Sequence, residues 1–345
     1  MRLAHALLAA CAVSFTALSS PAEDAPPKAD AAKPLRLALV KDKTYLYRLR
    51  ETISVRQDVD GGPAGILPIQ SRVEILWDAG VSLQRLEADG NVVVSLMPTR
   101  VRGEFSESPG RRELFDSDDP KTPVTSPLLG RGICVTLSPA GRVLDATGPA
   151  GKRMSAASAS GDMRTRLIQF DPVIARPFAQ QFFQELPGPP PRAGLTWDGT
   201  RSLAPHWLCV ATTVVGHAYG DAVEKATVTK LAPEVVTATL RARGTKEVTR
   251  SAEPTDLVRV ASDRPEDLGE QLEEWLVLGE VRIRRDSGLV ESRTATSTID
   301  THEDAFRLRS DLLPQVPGLP KGDIVTPASD HTHEVALQLD LIDVR

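Results

Sequence analysis

Tyr45-Leu46-Tyr47-Arg48-Leu49-Arg50-Glu51-Thr52-Ile53-Ser54-Val55-Arg56 alternates in character over most of its length. Tyr45, Tyr47, Leu49, Ile53 and Val55 fall on one side, and Arg48, Arg50, Thr52, Ser54 and Arg56 on the other. A period of two is the pattern of an extended strand with one face on a core and one in water. The stretch therefore predicts a β-protein whose sheet has an inside and an outside.

The same pattern recurs outward from it. Val73, Ile75 and Trp77 repeat the alternation, and Val81–Leu86, Asp89-Gly90 and Val92–Met97 read as strand, hairpin turn and strand. Near the C-terminus Val335, Leu337, Leu339 and Leu341 alternate with Ala336, Gln338, Asp340 and Ile342. Connections this short exclude helical crossovers, so the strands are antiparallel meanders. An internal echo divides the chain. Gly132 to Gly141, with Cys134, Val135 and then Val143, has the layout of Gly279 to Gly288, with Val281, Ile283 and then Val290. Between them, Leu167, Phe170, Ile174, Phe178, Phe182 and Phe183 are spaced for a helix over roughly 163–186. Pro172 and Pro177 break it into two short helices. The expectation is a mainly β (α+β) fold: two related curved antiparallel β-meander halves, residues 35–160 and 188–345, with a helical connection over 161–187.

The first residues indicate export. Arg2 precedes an uncharged, mostly apolar run from Leu3 to Leu18, and Ser20-Pro21-Ala22 suits cleavage before Glu23, so residues 1–22 read as a signal peptide. Leu8-Ala9-Ala10-Cys11 also resembles the lipobox of bacterial lipoproteins, in which the cysteine is acylated. Only Leu3–Ala10 would then remain as the apolar core, with His5 interrupting it, which favours cleavage at Ala22. Residues 23–34, rich in Pro and Ala, have no apolar face and read as a disordered spacer. No later run approaches the roughly 20 apolar residues of a membrane-spanning helix. The expected location is the periplasm or the exterior, or a membrane face if Cys11 is lipidated.

The formal charge is −5, and removal of 1–22 leaves about −6, so nothing invites nucleic acid. Cys134 and Cys209 remain after cleavage, without a CxxC neighbour, as either one disulfide or two buried small hydrophobes. Phe115-Asp116-Ser117-Asp118-Asp119-Pro120 concentrates carboxylates, but lacks the glycine and closing Glu of a calcium loop. It reads as a turn in which Phe115 enters the core while Asp116 and Ser117 bond to loop backbone. His331 and His333 share a strand face and, with His302, Glu303, Asp304 and Asp330, would make a zinc-type N/O set if the segments met; solvated polar histidines are the commoner outcome. Trp197, Trp207 and Trp275 are expected in core or sheet-edge packing. No cofactor motif, nucleophile elbow or phosphate loop stands out.

The succession of the FDSDDP segment, Leu129-Gly130, the hairpin Gly132–Gly148, Leu186-Pro187 and Gly194-Leu195-Thr196-Trp197 resembles an exported bacterial family of unknown function. That family has a Phe-Asp-Ser signature and a Gly-x-x-Trp opening of a second β half. The resemblance covers about Leu35–Arg345 and implies no enzyme activity. It implies curved sheets wrapped on a helix, similar in general shape to the half-barrels of lipoprotein carriers. The expected function is a noncatalytic cell-envelope protein binding an unknown ligand or envelope partner through a curved sheet. The alternatives are a metal-dependent hydrolase using His302, His331 and His333, and a structural assembly module acting through strand edges.

Overall fold

The alternating stretch lies within β1 (Thr44–Val59), where Tyr47, Leu49 and Ile53 are fully buried and Arg50 and Arg56 exposed. The computed structural model describes residues 33–59, 69–107, 110–122, 129–148, 175–202, 221–249, 269–303, 306–308, 324–326 and 329–345. Before the helix come β2 (Ile69–Leu86), β3 (Val92–Glu107), β4 (Arg111–Asp116), β5 (Ile133–Leu137) and β6 (Val143–Thr147). The helix is α1 (Ala175–Phe182). After it come β7 (Thr196–Ser202), β8 (Asp221–Leu231), β9 (Val235–Thr249), β10 (Gly269–Arg284) and β11 (Val290–Glu303). A small separate pair, β12 (Phe306–Leu308) and β13 (Ile324–Thr326), precedes β14 (Ser329–Val344).

The other strands form one antiparallel sheet of 12 strands, in the order β6-β5-β3-β2-β1-β14-β11-β10-β9-β8-β7, with β4 beside β3. The two halves are thus one continuous sheet. They are joined where β1 pairs with β14, Leu49 lying opposite Leu339 on one side and Trp77 on the other. β2 carries both the 73–77 and the 81–86 stretches as one strand of 18 residues, with register shifts against β3 at Asp78/Ala79 and Leu83/Arg85. A bulge bends a strand without ending it, which suits a curved sheet. Another shift, between Leu46 and Tyr47, skips Ile342 on β14. Ile342 is half exposed, and beyond it Val344 rather than Asp343 packs on the core.

The sheet is open: its end strands β6 and β7 do not pair with each other. Instead α1 contacts β5 and β6 at one end and β7 at the other. Ala175, Phe178, Ala179 and Phe182 make its buried stripe at helical spacing. Phe178 stands edge-on to Trp77 and Phe182 edge-on to Tyr47, both with ring centroids 5.8 Å apart. Each buried phenylalanine contributes about 2–3 kcal/mol by its removal from water. Pro177 falls in the first turn, where its missing N–H breaks no helical bond, so it opens this helix rather than kinking it. The expected first helix, with Leu167, Phe170 and Pro172, lies outside the described residues.

The echoed glycines meet at one place. Gly141, after β5, and Gly288, after β10, both have positive φ, 78° and 66°. A Cβ on Gly141 would stand 2.6 Å from the Gln184 carbonyl oxygen, and one on Gly288 2.5 Å from that of Arg36 and 2.9 Å from Leu186. The two turns also bind the same pieces of chain. Leu37 N–H donates to Pro139, Ala38 N–H to Ser287, and Leu186 N–H to Ala140. Leu35 and Leu186, both buried, are held where these turns converge. Gly132 and Gly279 are not equivalent in this way: only Gly132 has positive φ, while Gly279 lies inside β10.

Candidate functional site

The outer face of the sheet contains a groove. Register across β1, β14, β11 and β10 aligns Thr52, Ala336, Thr296 and Leu278 in one lateral row, and Arg50, Gln338, Thr294 and Glu280 in the next. Small side chains at the centre of these rows leave a depression of about 490 Å³ lined by Thr52, Thr294, Thr296, Ala336, Leu278 and Arg50. Leu278 is 46% exposed and forms an apolar wall. Arg50, paired with Glu74 at 2.8 Å, stands at the polar end. The groove combines hydroxyls, an apolar side and a guanidinium, and its volume is within the usual range for small-molecule sites of about 300–1,000 Å³.

A second cluster lies on the inner face. Along β8, Ala222, Glu224, Ala226 and Val228 all point inward, so a carboxylate occupies one place in an apolar stripe. Arg201 from β7 and Arg293 from β11 converge on it. Glu224 accepts from Arg201 Nε at 2.8 Å and from Arg293 Nη2 at 2.9 and 3.1 Å. Arg201 Nη1 donates onward to the Gln180 carbonyl at 3.2 Å and Gln181 Oε1 at 3.3 Å, tying α1 to the edge of the sheet. Glu224 and Arg293 are each 1% exposed and Arg201 8%. Burial pushes the Glu224 carboxyl up, but the two guanidiniums together outweigh it and hold its pKa at about 2. For Arg293, burial and then the like charge of Arg201 outweigh the attraction of Glu224, and its pKa is lowered to about 9.

The residues singled out from the sequence fare differently. Phe115 is buried, Asp116 Oδ1 accepts from Asp118 N–H at 3.0 Å, and Ser117 Oγ accepts from Val101 N–H at 3.2 Å, so the acidic segment is a hydrogen-bonded turn. Arg100 clamps Asp116 through two bonds of 2.6 and 3.1 Å. Among the histidines, backbone register sets His302 opposite Asp330, His331 opposite Thr301 and His333 opposite Ile299. By register, Asp330 rather than His331 or His333 is the partner of His302. Among the described residues no three His, Cys, Asp or Glu are placed to hold a metal.

Cys134 is a free thiol on the exposed side of β5, which corrects the expectation of a buried small hydrophobe; inward positions there belong to Ile133, Val135 and Leu137. Cys209, its proposed partner, Cys11 and Trp207 lie outside the described residues, as do residues 1–32 with the leader and most of the spacer. Trp197 packs on the core and donates from Nε1 to the Glu185 carbonyl at 2.7 Å. Sequence reading missed Arg201, Glu224 and Arg293, and also the fully buried Glu51. The available signal was a charged residue at an inward position of an alternating strand, as at Glu224 between Ala222 and Ala226.

No family model matches the chain. No curated protein matches it either. Among solved structures, a lipovitellin structure on lipid–protein interactions is similar over 89% of this chain at 12% identity, with a TM-score of 0.41. The chain covers 26% of that lipovitellin chain. OccK5 of Pseudomonas aeruginosa is matched over 89% of this chain and 100% of its own, at 7% identity and a TM-score of 0.23. An outer membrane channel of Pseudomonas putida F1 is matched over 92% of this chain and 100% of its own, at 8% identity and 0.21. Scores this low carry nothing about the activity of this chain. Among the described residues no helix is long and apolar enough to cross a membrane.

Proposed function

We propose that this chain is an exported, noncatalytic cell-envelope protein that binds a ligand or partner through its curved sheet. The observation that supports this reading best is the outer groove over β1, β14, β11 and β10, with a floor of threonine and alanine and walls of Leu278 and Arg50. A flat sheet surface offers little to a ligand, whereas a depression of about 490 Å³ excludes water from one side of whatever lies in it. The apolar leader-like start and the resemblance to an exported family support the location.

Site-specific photo-crosslinking in cells tests it. A benzophenone side chain at Thr296, in the groove, should give a discrete adduct; one at Thr227, on the outer face of β8, should not. Ala336→Trp, which fills the groove, should abolish the Thr296 adduct. Equal adducts at both positions, or none at Thr296, would sink the groove as the binding site. Metal analysis of the purified mature chain tests the noncatalytic part, since stoichiometric zinc would favour the hydrolase.

A further inference from the structure

Among the described residues the charges in the inner cluster do not balance. Two guanidiniums face one carboxylate, and Glu224 is already engaged by Arg201, by Arg293 and by Gln184 Nε2 at 3.5 Å. Arg293 spends only Nη2 on it; Nε and Nη1, buried with the rest of the side chain, have no hydrogen-bond partner. A buried donor without an acceptor costs about 1–3 kcal/mol, and more when the group is charged. A buried charge without compensation is among the most expensive features a core can hold. Water would satisfy the N–H groups but leave the net positive charge. One anion would satisfy both.

We propose that Arg293 is the receptor for an oxyanion, a carboxylate or phosphate group, that completes the Arg201–Glu224–Arg293 cluster. The direct register neighbours of Arg293 are Val281 on β10 and Leu339 on β14, both fully buried and apolar. In such surroundings a charged hydrogen bond is strong and a wrong partner is costly. A small recess lined by Gln180, Gln184, Glu185, Arg201 and Glu224 adjoins the cluster where α1 meets β7. The site is on the inner face, so it stands or falls independently of the outer groove.

This reading makes an unusual demand on a buried arginine: removing it should not harm the ligand-free fold. Arg293→Met leaves Arg201 and Glu224 as a neutral pair, so the variant should melt at the same temperature as the wild-type mature protein or higher. Inorganic phosphate, octanoate and octanol are then titrated into both proteins, with melting temperature and calorimetry as readouts. The wild type should gain several degrees with phosphate or octanoate and none with octanol. Arg293→Met should lose that gain, and Arg293→Lys should keep part of it. A response to phosphate alone identifies a free ion as the source, and a response to octanoate alone identifies an amphiphile. An Arg293→Met variant that unfolds or melts lower, equal shifts in variant and wild type, or no shift with either anion would overturn the proposal.

Discussion

Glu224 is the residue on which the inner edge of the sheet depends. Its pKa falls from 4.5 to about 2 on folding, so its contribution to stability is complete above pH 4.5. The contribution fades as pH drops from there toward 2 and amounts to on the order of 3 kcal/mol. Glu224→Gln removes the carboxylate while leaving two guanidiniums buried, and should cost about 3–5 kcal/mol at neutral pH. Chemical denaturation across pH 2–7 checks both points: the variant should be less stable at pH 7 and lose less between pH 4.5 and 2. A variant with an unchanged acid slope would show that other carboxylates carry it. Cys134 offers a second test at this scale. Its exposed thiol should react with a disulfide reagent in the native, never-reduced protein, whereas silence would indicate a bridge to Cys209.

At the scale of elements, β1 and the two glycine turns can be probed separately. Ile53 is fully buried, and its neighbour Ser54 points to the outer face. Ile53→Asp should unfold the protein or cost more than about 4 kcal/mol, because it buries a lone carboxylate. Ser54→Asp should stay within about 0.5 kcal/mol. Equal melting temperatures would contradict the inward stripe. The turns need a comparison that separates backbone strain from crowding. Gly194 and Gly288 both have positive φ, but a Cβ at Gly194 meets nothing within 4 Å, while one at Gly288 runs into Arg36 and Leu186. Gly194→Ala should cost about 1–2 kcal/mol for conformation alone. Gly288→Ala should cost clearly more in thermal melts, since the strap at Leu35–Ala38 must also shift.

For the whole molecule, the sequence echo suggests two units but the sheet makes one. β1 lies between β2 and β14, so the strand that starts the first half finds its second partner at the end of the other. The helix then touches both ends of the sheet. A fragment of residues 33–187 would expose the β1 edge opposite Leu337 and Leu339, and a fragment of 188–345 would lose α1 and the β1 partner of β14. Neither should fold alone, and the mature chain should unfold in a single transition by circular dichroism and by tryptophan fluorescence. Two separated transitions, or a dispersed spectrum from either fragment, would show that the halves are independent domains.

The features legible in the residues alone are local ones. The period of two along Tyr45–Arg56 and Val335–Leu341 depends only on strand geometry, and so it specified which side chains face inward before any partner was known. Asp89-Gly90 and Asp116–Asp119 were likewise legible, because a turn is made by the chemistry of adjacent residues. The rest arises when the strands assemble. Arg201, Glu224 and Arg293 come from three strands, with 23 and 69 residues separating the two arginines from the glutamate, and only strand pairing brings the three together indoors. The outer groove is equally invisible, since Thr52, Ala336, Thr296 and Leu278 become neighbours only through strand order and register. Register and order follow from burying the whole core at once, which no short stretch can encode alone.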